Sequence, residues 1–225
     1  MSRLGKRKKW ELNTSMPRVF EPILKAEESG DYEMKGHWHE RVFDNDRPIT
    51  IELGCGKGLF LLELARRYPE RNFVGVDLKG HRFFTGAQQA EDEGLTNIAF
   101  LRLPVEMIER VFAPGELSEF WLTFSDPQPK DFRDTKRITS PIFMARYLNT
   151  SREGCVVHIK TDSALIYRRA KQSWQDKLTV DSTDVHGELL GRIDEEFRPV
   201  LEFQSPYEKR WVKEGRTIYY LRFPL

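Results

Sequence analysis

A glycine-rich turn between an apolar strand and an amphipathic helix constrains this chain more than any other feature of its sequence. Residues 51–58 read Ile-Glu-Leu-Gly-Cys-Gly-Lys-Gly, with glycines at three alternate positions. Glycine is needed where the backbone takes an unusual φ or where a ligand must touch it closely. The flanking patterns predict a strand at Ile49 to Leu53 and a helix at Leu59 to Tyr68. A nucleotide-type ligand is therefore expected across the strand ends.

The same alternation of short apolar runs and amphipathic stretches continues from Pro48 onward, and it predicts a doubly wound α/β domain with a parallel sheet. Further strands are predicted at Asn72 to Asp77, Ile98 to Leu103, Glu119 to Phe124 and Cys155 to Lys160. Further helices are predicted at Phe83 to Gly94, Val105 to Phe112, Pro141 to Leu148 and Leu165 to Trp174. A terminal antiparallel pair is expected from Arg210 to Val212 and from Thr217 to Phe223, around Gly215.

Residues 1 to about 47 are expected to form a basic, partly mobile N-terminal arm that contributes no core element, and residues 48–225 the folded α/β domain. Basic residues, two prolines and an acidic stretch from Glu27 to Glu33 interrupt any apolar period there. The basic residues of the chain fall into clusters, and each cluster is expected to form a solvated surface unless several of them converge on one site. They comprise Arg3 with Lys6 to Lys9, Lys130 to Arg137, Arg168 to Lys171, and Lys209 to Arg216.

Composition excludes several classes of protein. The chain has 36 basic and 35 acidic side chains, so net charge alone gives no reason to expect a polyanionic partner. No apolar run is long enough to span a bilayer, which favours a cytoplasmic protein without membrane association. Cys55 and Cys155 form no CxxC pair, and His37 and His39 lack a third ligand at suitable spacing, so no metal site is expected.

Two acids flank the glycine turn, and together they favour one cofactor. Asp77 ends the second predicted strand, where a carboxylate can accept hydrogen bonds from ribose hydroxyls. Glu52 precedes the first glycine, where it would repel a pyrophosphate and tolerate a cationic ligand with a free amine. The glycine spacing also departs from the dinucleotide-binding pattern. S-adenosylmethionine is therefore favoured over NAD, with Glu52, Gly54, Gly56, Gly58 and Asp77 as cofactor-binding residues.

A proline-bounded loop, Phe124 to Lys130, follows the fourth predicted strand at the same edge of the sheet. Asp126 could orient an incoming base there, and Lys130 could reach a phosphate or a base edge. The alternative is that Asp126 only forms a turn before Pro127, which is ordinary Asp-Pro chemistry.

From Pro48 onward the chain resembles the bacterial single-subunit tRNA (guanine-N7)-methyltransferase family. The Ser-Asp-Pro-Gln-Pro-Lys segment at 125–130 with its basic continuation is the most specific match. The other matching segments are residues 52–58 and 72–77, Lys136-Arg137, Lys160-Thr161-Asp162 and Tyr207-Glu208-Lys209-Arg210.

The resemblance implies that residues 48–225 form a class I S-adenosylmethionine-dependent methyltransferase domain with a Rossmann-like sheet. It implies that Glu52, Asp77 and Asp126 contact the cofactor and that Asp126 occupies the catalytic position. It also implies tRNA contacts by Lys130, Asp162, Ser205, Pro206, Tyr207 and Glu208. Ser205 replaces a usual threonine, Ser125 a common proline and Gln128 a common tryptophan. Pro104 stands where many members carry an adenine-binding aspartate, so backbone groups near Leu103 or Val105 would have to take over.

The resulting prediction is an enzyme that methylates N7 of a guanine in the tRNA variable loop, acting as a monomer or homodimer. Three alternatives stay open. One is an S-adenosylmethionine-dependent methyltransferase acting on another RNA, a protein or a small molecule. The second is a catalytically silent RNA-binding module, and the third is a nicotinamide-dependent oxidoreductase, which the glycine spacing disfavours.

Overall fold

The structure is a computed structural model, and it describes residues 4–22, 30–187 and 203–225. Five of its eight strands form the parallel sheet that the sequence predicts. The elements of the N-terminal half are α1 Lys6–Asn13, β1 Val19–Phe20, β2 Ile49–Leu53, α2 Leu59–Arg67, β3 Asn72–Val76, α3 Phe84–Asp92, β4 Ile98–Leu101 and β5 Leu117–Thr123. The elements of the C-terminal half are α4 Pro141–Thr150, β6 Ser151–Thr161, α5 Ala164–Trp174, β7 Val180–Ser182, α6 Pro206–Lys213 and β8 Tyr219–Pro224.

The strands form one sheet in the order β1-β4-β3-β2-β5-β6-β8-β7. Strands β1 to β6 pair in parallel, and β8 runs antiparallel to both β6 and β7. The chain order reverses at β2, which lies between β3 and β5. Open α/β sheets bind ligands at the carboxyl ends of the strands beside such a reversal.

Helices cover both faces of the sheet, as expected for strands that are buried on both sides. α2 and α3 pack on one face through residues such as Leu61, Ala65 and Ala87. α4 and α5 pack on the other through Met144, Tyr147 and Ile166. The predictions of a doubly wound sheet and of the elements from β2 to α5 are confirmed, with Val105–Arg110 as a 3₁₀ helix.

The N-terminal segment contributes to the sheet and the core, which corrects the expectation of an arm that holds no core element. β1 extends the sheet by pairing with β4. Trp38 is fully buried and stacks on Phe112 at 4.9 Å between ring centroids. This contribution could not be predicted from the sequence, because a two-residue strand and isolated buried aromatic residues produce no periodic pattern. The domain boundary at residue 48 stays a prediction, and Arg3 and Glu27 lie outside the described residues.

The expected terminal antiparallel pair is wrong in its first strand. Residues 206–213 form α6, and β8 pairs with β6 and β7 instead. The cause is local, because the Ser205 hydroxyl accepts a hydrogen bond from the Glu208 amide at the helix start. Ser-Pro-Tyr-Glu is a serine-to-glutamate capping pattern with proline in the first turn, so the helix signal was present in the sequence.

Candidate active site

The glycine turn bends sharply enough to bring β2 and β3 together at their carboxyl ends. The amides of Gly54 and Cys55 both donate to the carbonyl of Val76, at 2.8 and 2.9 Å. Gly54 has φ 75°, in the left-handed region, and a side chain added there would meet no heavy atom within 4 Å. At Gly58, φ is 69° and an added Cβ would collide with Phe100. Gly58 is therefore required by packing, whereas Gly54 leaves bare backbone open to a ligand.

Asp77 ties the turn to the end of β3. Its Oδ2 accepts from the Gly56 amide at 3.1 Å, and its Oδ1 accepts from the Lys79 amide at 2.7 Å. The guanidinium of Arg82 lies 4.0 Å away. A carboxylate has about four acceptor sites, so two backbone bonds leave capacity for ribose hydroxyls. A cavity of about 270 Å³ adjoins this loop, and α1 forms one of its walls; its lining includes Trp10, Leu78, Lys79, His81 and Arg102.

The two oxygens of the buried Glu52 carboxyl group differ in their hydrogen bonding. The Glu52 side chain is 1% exposed, and its Oε1 accepts from the Thr123 hydroxyl. Its Oε2 has no hydrogen-bond partner among the residues that the structure describes. Burial raises the pKa of Glu52 to about 8, against the opposing effects of the Thr123 hydroxyl and the Leu61 backbone and with a smaller contribution from the charge of Asp77. A buried carboxyl oxygen without a hydrogen-bond partner costs free energy. A cationic ligand that donated a hydrogen bond to it would remove that cost and stabilise the ionised form.

The loop after β5 carries Asp126 at the reversal point of the sheet. Its flanking residues Phe124 and Gln128 have φ of 47° and 43°, which is strained for residues other than glycine. Asp126 is exposed, and its Oδ1 accepts from the Gln128 amide at 3.0 Å, so it does form the turn. The turn-forming role therefore coexists with an exposed position near the glycine turn.

Arg137 anchors the Asp126 loop from its buried side, a role that the sequence did not reveal. It is 2% exposed, and it donates through Nε to the carbonyl of Pro127 and through Nη2 to that of Gln128, both at 2.8 Å. It also pairs with Asp134. The prediction that Arg137 belongs to a solvated basic face is therefore wrong, because its side chain is buried and donates to loop carbonyls. Lys130, Arg133 and Lys136 are exposed as predicted.

The predicted tRNA-contacting residues of the C-terminal part take different positions. Tyr207 is 49% exposed, and the ammonium of Lys57 lies 5.2 Å from its ring centroid, beside the glycine turn. Ser205 caps α6, and Pro206 occupies the first turn of that helix. Asp162 accepts from Arg216 at 3.3 Å. Glu208 is buried, with its Oε1 2.7 Å from Lys160 Nζ and 3.0 Å from His186 Nε2. A direct tRNA contact by Glu208 would require this arrangement to open.

Contacts among these elements gather the predicted residues at one edge of the sheet. The Phe124 amide donates to the Lys160 carbonyl at 2.8 Å, and its ring lies 5.2 Å from that of Trp211 in α6. The glycine turn, the Asp126 loop and α6 therefore border one site. A buried carboxyl oxygen without a partner, open backbone and a ribose-type acceptor fit a nucleoside bearing a cationic amino-acid tail.

Neither a metal site nor a membrane span is found in the parts of the chain that the structure describes. Residues 4–22, 30–187 and 203–225 hold no group of three or more histidine, cysteine or acidic side chains placed to bind a metal ion. None of the helices described is both long and apolar enough to cross a bilayer. Cys55 and Cys155 are buried and unpaired, as expected for small core residues.

Sequence comparison finds close relatives over the whole chain. A protein-family model described as "Putative methyltransferase" matches residues 46–221. The tRNA (guanine-N(7)-)-methyltransferase of Bacteroides thetaiotaomicron is 41% identical over 99% of this chain and 87% of its own length. The protein of the same name from Christiangramia forsetii is 38% identical over 100% of both chains. That from Bacillus subtilis is 32% identical over 85% of this chain and 86% of its own.

Solved structures share the fold at low identity. The 16S rRNA methyltransferase KamB superposes with a TM-score of 0.58 at 15% identity, covering 83% of this chain and 91% of its own. An antibiotic-related methyltransferase superposes with a TM-score of 0.59 at 18% identity, covering 91% of this chain and 100% of its own. The sheet and its flanking helices are thus those of class I methyltransferases.

Proposed function

The chain belongs to the tRNA (guanine-N(7)-)-methyltransferase family, and from this premise we propose that it transfers a methyl group from S-adenosylmethionine to N7 of a guanine in the tRNA variable loop. The observation that carries the proposal is the buried carboxyl of Glu52, which lies at the end of β2 just before the glycine turn and whose Oε2 lacks a partner among the described residues. An ammonium group would donate to that oxygen and pair with the carboxylate charge, whereas a pyrophosphate would be repelled by it.

The cofactor would lie along the glycine turn. The Glu52 carboxylate would hold the ammonium of its amino-acid tail, and Gly54 and Gly56 would let the backbone approach. Asp77 would accept the ribose hydroxyls. Leu78 is 56% exposed immediately after Asp77, which supports packing of the adenine there. Pro104 has no polar side-chain group, so backbone near Leu103 or Val105 would supply any specific adenine contact.

When bound, S-adenosylmethionine supplies a sulfonium methyl group for a single displacement. Guanine N7 has an in-plane lone pair and no proton, so the reaction needs no general base, and Asp126 has no proton to remove. Its carboxylate would instead orient the base and stabilise the positive charge that develops on the purine. Alignment of the reacting atoms can contribute about 7–11 kcal/mol to lowering the barrier. The strained turn that presents Asp126 is consistent with such a positioning role.

The target guanine has to leave its stack before N7 can meet the methyl group. The exposed rim residues Lys130 and Lys136 would hold the RNA backbone, and Tyr207 would flank the base from α6. The charge of Lys57 beside Tyr207 adds to the attraction for phosphate.

The proposal is tested by incubating unmodified tRNA with labelled S-adenosylmethionine and mapping the modified nucleotide. We expect 7-methylguanine in the variable loop. Label in another RNA or in a small molecule alone would overturn the substrate assignment. For Asp126, the single-turnover rate of Asp126→Ala and Asp126→Asn is compared with their tRNA affinity. A rate loss of about 10²-fold or more with near-normal affinity is expected, and an unchanged rate with weak binding would contradict the catalytic role.

A further inference from the structure

Phe132 is the most exposed large apolar side chain in the described part of the chain. It is 75% exposed, compared with 57% for Leu148 and 49% for Tyr207. It lies in the 3₁₀ helix Asp131–Lys136, six residues after Asp126, on the segment that leaves the catalytic loop. Single exposed apolar side chains are common on protein surfaces. Phe132 differs from them because it lies on the segment that follows the Asp126 loop and has two cations beside its ring.

The backbone around Phe132 is well anchored, so its ring is presented from a fixed turn. The Arg133 amide donates to the Lys130 carbonyl at 2.9 Å, and the Arg137 amide donates to that of Asp134 at 3.2 Å. The Arg133 side chain donates to Gln128 Oε1 at 3.2 Å, which connects this turn to the Asp126 loop. Arg137 fixes the same loop from its buried side.

Two cations accompany the ring. Lys130 Nζ and Arg133 Cζ each lie 5.7 Å from the Phe132 ring centroid. If an apolar protein surface covered this ring, both cations would lose water and gain no anionic partner, which is unfavourable. A nucleotide offers a flat π-face for the ring and phosphates for the cations, so it satisfies all three groups at once.

We propose that Phe132 is a base-stacking residue that receives a nucleobase of the tRNA next to the target guanine, while Lys130 and Arg133 bind the adjoining phosphates. This inference rests on the proposed function and extends it to a substrate contact by a residue to which the resemblance assigns no role. The stacked neighbour would hold the RNA open beside Asp126, so that the target guanine enters the site alone.

The test compares Phe132→Ala, Phe132→Leu and Phe132→Tyr with the wild-type chain on unmodified tRNA. Phe132→Ala is expected to raise KM for tRNA by about 5- to 100-fold, the effect of losing one base stack. Phe132→Leu should show most of that loss, because it is apolar but has no π-face. Phe132→Tyr should restore KM to within about 3-fold. The Kd for S-adenosylmethionine should stay near wild type in all three.

The matched control is Leu148→Ala, since Leu148 is also exposed but lies on α4, and its KM should not change. Equal KM values for Phe132→Ala and the wild type would overturn the inference while leaving the proposed function intact. A wild-type KM for Phe132→Leu would show that apolar packing, and not base stacking, explains the contact, and it would overturn the inference as well. A weaker Kd for the cofactor in Phe132→Ala would reassign the ring to that site. Absence of tRNA methylation by the wild-type chain would instead refute the proposed function.

Discussion

Lys160 Nζ lies 2.7 Å from Glu208 Oε1, and both side chains are almost completely buried where the end of β6 meets the start of α6. His186 Nε2 approaches the same oxygen at 3.0 Å. Burial lowers the pKa of Lys160, and the Glu208 carboxylate opposes that shift. The pair fastens α6 to the sheet, and α6 carries Tyr207 and Trp211 to the rim of the site.

Glu208→Ala should therefore destabilise the protein strongly. It removes the carboxylate from beside a buried ammonium, and such a loss typically costs about 3–5 kcal/mol of unfolding free energy. The double variant Lys160→Met, Glu208→Leu replaces both charges by apolar groups and should recover most of that loss. Urea unfolding monitored by circular dichroism measures both. A double variant no more stable than Glu208→Ala would show that packing, and not the charge pair, holds α6.

Arg137→Lys should impair the reaction more than cofactor binding. The guanidinium holds the carbonyls of Pro127 and Gln128 at once, and a single ammonium cannot reproduce that fork. A misplaced Asp126 loop is expected to lower the single-turnover rate by up to about 10²-fold. Calorimetry should give an unchanged Kd for S-adenosylmethionine. The control is Arg67→Lys, the same exchange at an exposed residue of α2, which should leave the rate unchanged. Equal rates for Arg137→Lys and the wild type would contradict the proposed positioning of the loop.

Glu52→Gln should stabilise the protein at alkaline pH and abolish cofactor binding. The folded-state pKa is about 8, above the ordinary value of 4.5, so the folded protein holds a proton that the unfolded chain releases. Stability from this group is therefore lost as pH rises from about 4.5 to about 8. Glutamine removes that titration, and the gain at pH 8 should be on the order of 1–4 kcal/mol.

Thermal unfolding at pH 5 and pH 8 measures the Glu52→Gln gain, and calorimetry measures the loss of cofactor affinity. Glu70→Gln, at an exposed position just after α2, should change neither quantity. A Glu52→Gln protein that binds the cofactor normally would remove Glu52 from the site.

Affinity for tRNA should fall steeply with salt, and exposed rim lysines should account for part of the slope. Each phosphate contact contributes about 0.7–0.9 to the slope of log affinity against log salt. Lys130→Gln and Lys136→Gln should each flatten that slope by about this amount. Arg67→Gln removes one charge on α2, where Arg67 pairs with Glu63, and should leave the slope unchanged. Filter binding over a salt series provides the measurement, and equal slopes for all four proteins would exclude the rim contacts.

Much of this protein is decided by local sequence. Strands β2 to β6 and their helices follow from apolar periodicity, because each segment must bury one face or both. The positions of the glycine turn and of the acids Glu52 and Asp77 follow from the predicted strands, because the carboxyl ends of parallel strands lie at one edge of the sheet. The helix α6 was also encoded locally, in the cap from Ser205 to Glu208, although the apolar pattern from Arg210 to Val212 predicted a strand there.

The tertiary structure alone decided which polar groups meet. Arg137 could be read as one more basic residue of a solvated cluster until its donors were seen on the carbonyls of the Asp126 loop. Lys160 and Glu208 are distant in sequence, and no periodicity connects them. Burial changes the energetics of such groups, because a charge removed from water needs a particular partner. The partner depends on how the whole chain packs, and it cannot be read from the segment in which the charge lies.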